Sequence, residues 1–178
     1  MDAEALTVPH EPPADGVLRR ATPEDLPAIL RLRTVMHAGM HAHHQPGTAL
    51  PDAGAAWSGE TAAWLGRQLT DTAGFAAFLV DEPGRGPVSV AVGRLIPWMP
   101  SPRNPAGVRG HVFNVATDAD RRRRGHARRC MEALLAWFRA ETPVVRIELH
   151  VPAEGIELHR SLGFVLPREP ALQLTVER

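Results

Sequence analysis

The apolar positions of the chain fall into short blocks whose period switches between strand and helix. "VLRR" at 17–20 reads as a short strand, and Thr22 then stands where it caps a helix with Pro23 at the first helical position. Leu26, Ile29, Leu30 and the aliphatic stem of Arg33 follow helical spacing. "VMHAGMHAHHQPGTALPDAG" holds no sustained period and is expected to be irregular. Ala62, Leu65 and Leu69 predict a second helix over Ser58–Leu69. "FAAFLVDE" and "VSVAVGRLIPW" are apolar runs separated by "PGRGP", a strand–turn–strand signal. A Pro-rich loop leads to a further strand, "HVFNVAT".

Ala127, Met131, Leu134, Leu135 and Phe138 then mark one face of an amphipathic helix over 125–138. In "VVRIELHV", Val145, Ile147, Leu149 and Val151 alternate with polar residues, predicting a strand. A short helix is expected from Ala153 to Leu162, ending at Gly163, and Leu172, Leu174 and Val176 alternate in a closing strand. The order β-α-α-β-β-β-α-β-α-β describes a mixed α/β domain with one central sheet.

Composition narrows this picture. The 178 residues suffice for one well-cored domain, with 44% hydrophobic and 22% charged residues. Residues 1–15 are Pro-rich and are expected to form a disordered tail, leaving 16–178 as a single domain. The opening residues are acidic where a secretory leader is basic, and no apolar run reaches membrane-spanning length, so a cytoplasmic protein without membrane partners is expected. Cys130 is the single cysteine, which excludes an internal disulfide framework.

Formal net charge is zero, so the clustering of six of the 20 arginines between Arg121 and Arg129 is a local feature. A helix start carries partial positive charge, and arginines placed there are unfavourable unless a polyanion neutralises both. Gly125 allows close backbone approach in the turn between strand and helix, and Ala127 keeps the first helical turn narrow. A phosphate-bearing ligand is the chemistry this arrangement suits. The chain has no lysine, which excludes a Gly-Lys-Ser/Thr phosphate loop, and a three-glycine dinucleotide turn is absent. Nucleic acid is an alternative polyanion, but no aromatic residues interleave with the arginines and none is expected as a partner.

The spacing Arg122-x-x-Gly125-x-Ala127 resembles the acetyl-CoA pyrophosphate loop of the GCN5-related N-acetyltransferases, (Gln/Arg)-x-x-Gly-x-(Gly/Ala). "LHRSLGF" at 158–164 is similar to that family's Leu-Tyr-x-x-x-Gly-Phe signature, and "LRRATPEDLPAILRL" to its first strand and helix. The resemblance runs from Val17 to Val176. It implies a mostly antiparallel sheet, splayed at the cofactor site with helices on both faces. It also implies direct transfer of an acetyl group from acetyl-CoA to a primary amine.

By the same resemblance, Val115, Ala116 and Thr117 contact the pantetheine arm. Arg122, Arg123, Arg124, Gly125, His126 and Ala127 cradle the pyrophosphate, with Arg128 near the outer phosphates. The chain contains no tyrosine, and His159 stands where the family's tyrosine acid is usual. An imidazolium can protonate a leaving thiolate, although a packing role is the competing reading. The family's frequent glutamate base is missing from "HVFNVAT". Glu148, His150 and His111 are the candidate bases, each with a structural reading beside it, and Asn114 either orients a water that carries the proton or satisfies a neighbouring backbone group.

The acceptor, a small-molecule or peptide amine, is expected between the 36–60 segment and the 97–110 loop, with Trp57, Trp64, Trp98, Met36, Met40 and Met99 as candidate walls; core packing is the competing reading for all six and the favoured one for Trp64. His37 and His41, with His43 and His44 following, have no carboxylate or cysteine frame, so no metal is expected. A homodimer is compatible with the resemblance. An idle acyl-CoA-binding module and a nucleic-acid binder are the alternative functions.

Overall fold

The structure, a computed structural model, describes residues 16–44, 54–168, 172 and 174–176. The expected tail at 1–15 lies outside them, and His43, His44 and Trp57 lie outside the residues whose side chains are described.

Five strands form one open sheet in the order of the chain: β1 (Val17–Arg20), β2 (Phe75–Glu82), β3 (Gly86–Pro97), β4 (Val108–Thr117) and β5 (Ile147–Leu149). The first four pair antiparallel, whereas β5 runs parallel to β4. Helices α1 (Leu26–His44) and α2 (Gly54–Thr70) cover one face, and α3 (His126–Glu141) covers the other. A six-residue helix, α4 (Ile156–Ser161), follows β5.

Both sheet faces are covered, which explains why β2 and β3 read as continuous apolar runs. Leu79, Val90 and Val92 pack with Ile29, Leu32 and Leu65 of α1 and α2, while Val80, Val88 and Ala91 meet Met131, Leu134 and Phe138 of α3. Phe138 fixes the strand composition opposite it. A Cβ at Gly93 would stand 2.8 Å from its Cζ, and one at Gly110 would stand 2.8 Å from its Cε1. Only glycine admits the ring at these two positions.

Four expectations need correction. The histidine-rich stretch is not irregular up to residue 44 but continues α1 to His44, and α2 begins at Gly54 rather than Ser58. Beyond Met36 the helix borders a cleft instead of the core, so it needs no apolar period there. The strand expected over 145–151 shrinks to three residues. The closing strand does not form among its described residues: Leu172, Leu174, Thr175 and Val176 are outside any strand, with the two leucines 93% and 88% exposed. Alternation marks a strand only where an edge is available to pair with it, and β5 offers a very short one.

Candidate functional site

β4 and β5 pair only through Gly110–Val112 and Ile147–Leu149. β4 continues to Thr117 while the other chain turns away through Val151 and Pro152, opening a wedge between them. At the mouth of the wedge β4 carries a bulge, because Val92 faces Asn114 and Gly93 faces Val112, leaving Phe113 as an extra residue. Asp118 N–H bonds to the Val88 carbonyl at 2.9 Å, and Ser89 Oγ donates to the Ala116 carbonyl at 3.0 Å. Backbone polar groups alternate sides along a strand, so those of Val115 and Thr117 face the wedge and those of Ala116 face β3.

A cleft of about 590 Å³ follows this wedge from Arg122 and Ala127, past Asn114 and His159, to His111, Phe113 and Arg33. At its outer end Arg123 and Gly125 both have left-handed backbone, with φ of 62° and 79°. Left-handed residues in a tight turn direct successive N–H groups inward, and here they lead into the bare first turn of α3. Arg122, Arg123 and Arg124 are exposed beside that turn, and Arg122 Nε lies 3.5 Å from the Thr117 carbonyl.

The arginines are not one continuous patch. Arg121 Nε donates to Glu82 at 2.6 Å, Arg128 reaches Ser161 Oγ at 2.9 Å, and Arg129 bonds the Gly16 carbonyl at 3.0 Å. His126 is also turned inward: its ring is fully buried and Nε2 lies 3.1 Å from the second oxygen of Glu82. Its backbone N–H is therefore what it offers to an anion in the turn. Arg121 and His126 hold the Glu82 carboxyl below the ordinary carboxylate range, the hydrogen bond from Arg121 being the larger cause. Glu82 carries no local sequence signal for this role, since it sits at the end of a strand far from the loop it braces.

Inside the cleft, Asn114 is 1% exposed, and neither its amide oxygen nor its nitrogen has a hydrogen-bond partner among the described residues. An orphaned buried amide beside a cavity points to a ligand or water that completes it. His159 is buried, and its Nδ1–H donates to the Gly155 carbonyl at 2.7 Å while Phe164 meets its ring edge-on. The neutral ring then presents an acceptor at Nε2, and only the imidazolium has a proton there to give.

The three candidate bases separate clearly. Glu148 pairs with Arg109 at 2.9 Å, and His150 is exposed. His111 is partly buried, stacked on Phe113 with ring centroids 6.4 Å apart, and 6.0 Å from the His150 ring. Burial lowers the His111 pKa below its ordinary value, with the His150 and Arg94 charges acting in the same direction and Glu148 opposing them. Burial thus favours the neutral His111 ring within the cleft. Met36, Met40 and His37 of α1 border the same cleft, whereas Met99 is 82% exposed and Trp98 stacks under the Arg109 guanidinium at 3.6 Å. No group of three metal-ligating side chains occurs among the described residues.

The fold has counterparts among known proteins. The sequence profile of the acetyltransferase (GNAT) family matches residues 42–164, and the chain belongs to this family of acyltransferases. A GCN5-related N-acetyltransferase from Ralstonia eutropha JMP134 superposes with a TM-score of 0.71 at 24% identity, over 89% of this chain and 97% of its own. A predicted acetyltransferase from Clostridium acetobutylicum, solved with acetyl-CoA, gives a TM-score of 0.72 at 17% identity, over 89% and 95% of the two chains. An aminoglycoside acetyltransferase from an uncultured soil metagenomic sample, in complex with sisomicin, gives 0.61 at 13% identity, over 90% and 96%. These likenesses establish the fold. No curated protein sequence matches the chain, and among the described residues no helix is long and apolar enough to cross a membrane.

Proposed function

We propose that the protein is an acetyl-CoA-dependent N-acetyltransferase that acylates a primary amine of a small molecule or peptide by direct attack on the thioester. The observation that carries this reading is the wedge between β4 and β5, which joins an N–H-rich, arginine-flanked turn to a cleft containing His111, Asn114 and His159. The residues suit the donor. The Arg122–Ala127 turn matches a pyrophosphate, with Arg128 at its edge, and the wedge-facing groups of Val115 and Thr117 match the amides of a pantetheine arm. Acetyl-CoA supplies an activated acyl group.

On this reading the neutral His111 ring accepts the proton that the amine loses as its nitrogen bonds to the acyl carbon. Backbone N–H groups at the β4 bulge stabilise the charge that develops on the acyl oxygen. Asn114 orients a water or the acceptor, and His159, when protonated, returns a proton to the departing sulfur. Glu148 and His150 act on His111 through charge. The products are an amide and CoA, and no covalent enzyme intermediate is required.

Calorimetric titration with acetyl-CoA, followed by a CoA-release assay over a panel of amines, tests the proposal. Near one-to-one micromolar binding with amine-dependent CoA release is expected. Binding without release for any amine would leave an idle acyl-CoA-binding module. Absence of acetyl-CoA binding, together with salt-dependent affinity for a DNA duplex, would favour the nucleic-acid reading.

A further inference from the structure

Beyond Phe113 the cleft meets a second cavity of about 700 Å³, and Arg33 and Phe113 line both. Trp64 and Phe113 meet edge to face at 5.7 Å in its wall, presenting apolar rings. Arg33 of α1 and Arg67 of α2 also line it, and Arg94 of β3 lies over the Trp64 ring with its guanidinium carbon 5.4 Å from the centroid. Glu60 is the one carboxylate among the described lining residues.

Among the described lining residues two guanidiniums, Arg33 and Arg67, face one carboxylate, an arrangement that favours an anionic group over a polycationic amine. Arg33 is partly buried, and burial lowers its pKa. Guanidinium forks match a planar carboxylate in two parallel hydrogen bonds, and the aromatic wall suits an apolar body. Phosphate is bound by the same forks, but none of the described lining residues belongs to the first turn of a helix, whose N–H groups would complete such a site.

Resting on the acetyltransferase reading above, we propose that the acceptor is an amine that also carries a carboxylate: an amino acid with an apolar or aromatic side chain. Its carboxylate meets Arg33 and Arg67, its apolar part meets Trp64 and Phe113, and its amine points back toward His111. Arg94 adds to the field from behind the Trp64 ring.

The test compares a set of amino acids with their matching carboxamides, and with spermidine and phosphoethanolamine, in CoA release by the wild type, Arg33→Gln and Arg67→Glu. The same amines are titrated calorimetrically into CoA-loaded protein. The wild type is expected to favour phenylalanine over phenylalaninamide by about tenfold or more in kcat/KM, with both substitutions eroding that preference mainly through KM. Acetyl-CoA affinity should be unchanged in both variants, and Arg67 is exposed, so its substitution reports on charge even if Arg33→Gln folds poorly. Equal use of acid and amide, or preference for spermidine or phosphoethanolamine, overturns the carboxylate assignment while leaving the acetyltransferase reading intact. If no amine releases CoA although acetyl-CoA binds, the transferase reading fails. Calorimetric preference for the acid over the amide then decides whether the cavity still selects carboxylates.

Discussion

Glu82 and His126 are 44 positions apart in sequence, yet their side chains meet at 3.1 Å where β2 ends and α3 begins. The second oxygen of Glu82 takes the Arg121 Nε–H, so one carboxylate braces both ends of the turn that runs from 121 to 126. On the proposed reading of this turn as a pyrophosphate site, Glu82 is a positioning residue that does not line it. Glu82→Ala should weaken acetyl-CoA binding by about tenfold, the scale expected when a bound group is misplaced by a fraction of an ångström. Its effect should fall on acetyl-CoA affinity and not on the relative use of different amines. Calorimetry and an acceptor panel measure both, and an unchanged acetyl-CoA affinity would show that the turn holds its shape unaided.

Gly125 has φ of 79° at the cap of α3, a conformation that a β-branched residue resists. Gly125→Val should cost about 1–2 kcal/mol of backbone strain or flatten the turn that gathers the N–H groups. In either case acetyl-CoA affinity should fall well beyond the effect of Glu82→Ala. Gly125→Asn tolerates the left-handed region better and should retain more binding. Wild-type affinity in the valine variant would place the pyrophosphate elsewhere.

The strand, turn and helix around α3 were legible before any coordinates, and the reason is that they are local. Met131, Leu134, Leu135 and Phe138 declare the buried face of α3 through spacing alone, and Arg122, Gly125 and Ala127 lie within one turn of it. What the sequence hides is long-range. Glu82 looks like an ordinary strand-end acid, and the inward turn of the His126 ring depends on it. His37 and Met40 break the apolar period of α1 because that end of the helix borders a cavity, so the pattern suggests a loop where the backbone is helical. Leu172, Leu174 and Val176 show the converse error, since a strand pattern has no force without an edge to receive it.

Asp25 closes the start of the fold. Its carboxylate accepts two hydrogen bonds from Arg19, each at 2.7 Å, and a third from the Thr22 N–H at 2.8 Å; Arg19 also pairs with Asp81. These bonds, chiefly the one from Arg19, hold the Asp25 pKa below its usual 3.8. A carboxyl whose folded pKa is depressed contributes stability above its unfolded value and loses it as pH falls through the folded value. The contribution should therefore be complete above about pH 3.8 and be lost below it, as pH falls through the lowered folded value. Asp25→Asn should cost about 2 kcal/mol in urea denaturation at pH 7, with allowance for the partial exposure of Arg19. The difference between variant and wild type should shrink in acid, and a gap that persists unchanged at low pH would assign the loss to packing.

The acceptor side offers a sharper pH signature. A general base must be neutral to work, and the His111 pKa is lowered first by burial and then by the His150 charge. As pH rises through that lowered value the ring loses its proton, so kcat/KM should climb along a limb centred below the ordinary histidine value of about 6.5. His111→Gln should remove the limb and reduce kcat/KM by about 10²–10⁴ while acetyl-CoA affinity stays the same. His150→Ala removes a positive neighbour, so it should move the limb to higher pH without abolishing it. That displacement separates a charge acting on the base from the base itself. If His150→Ala erased the limb and His111→Gln left it in place, the proton acceptor would be His150.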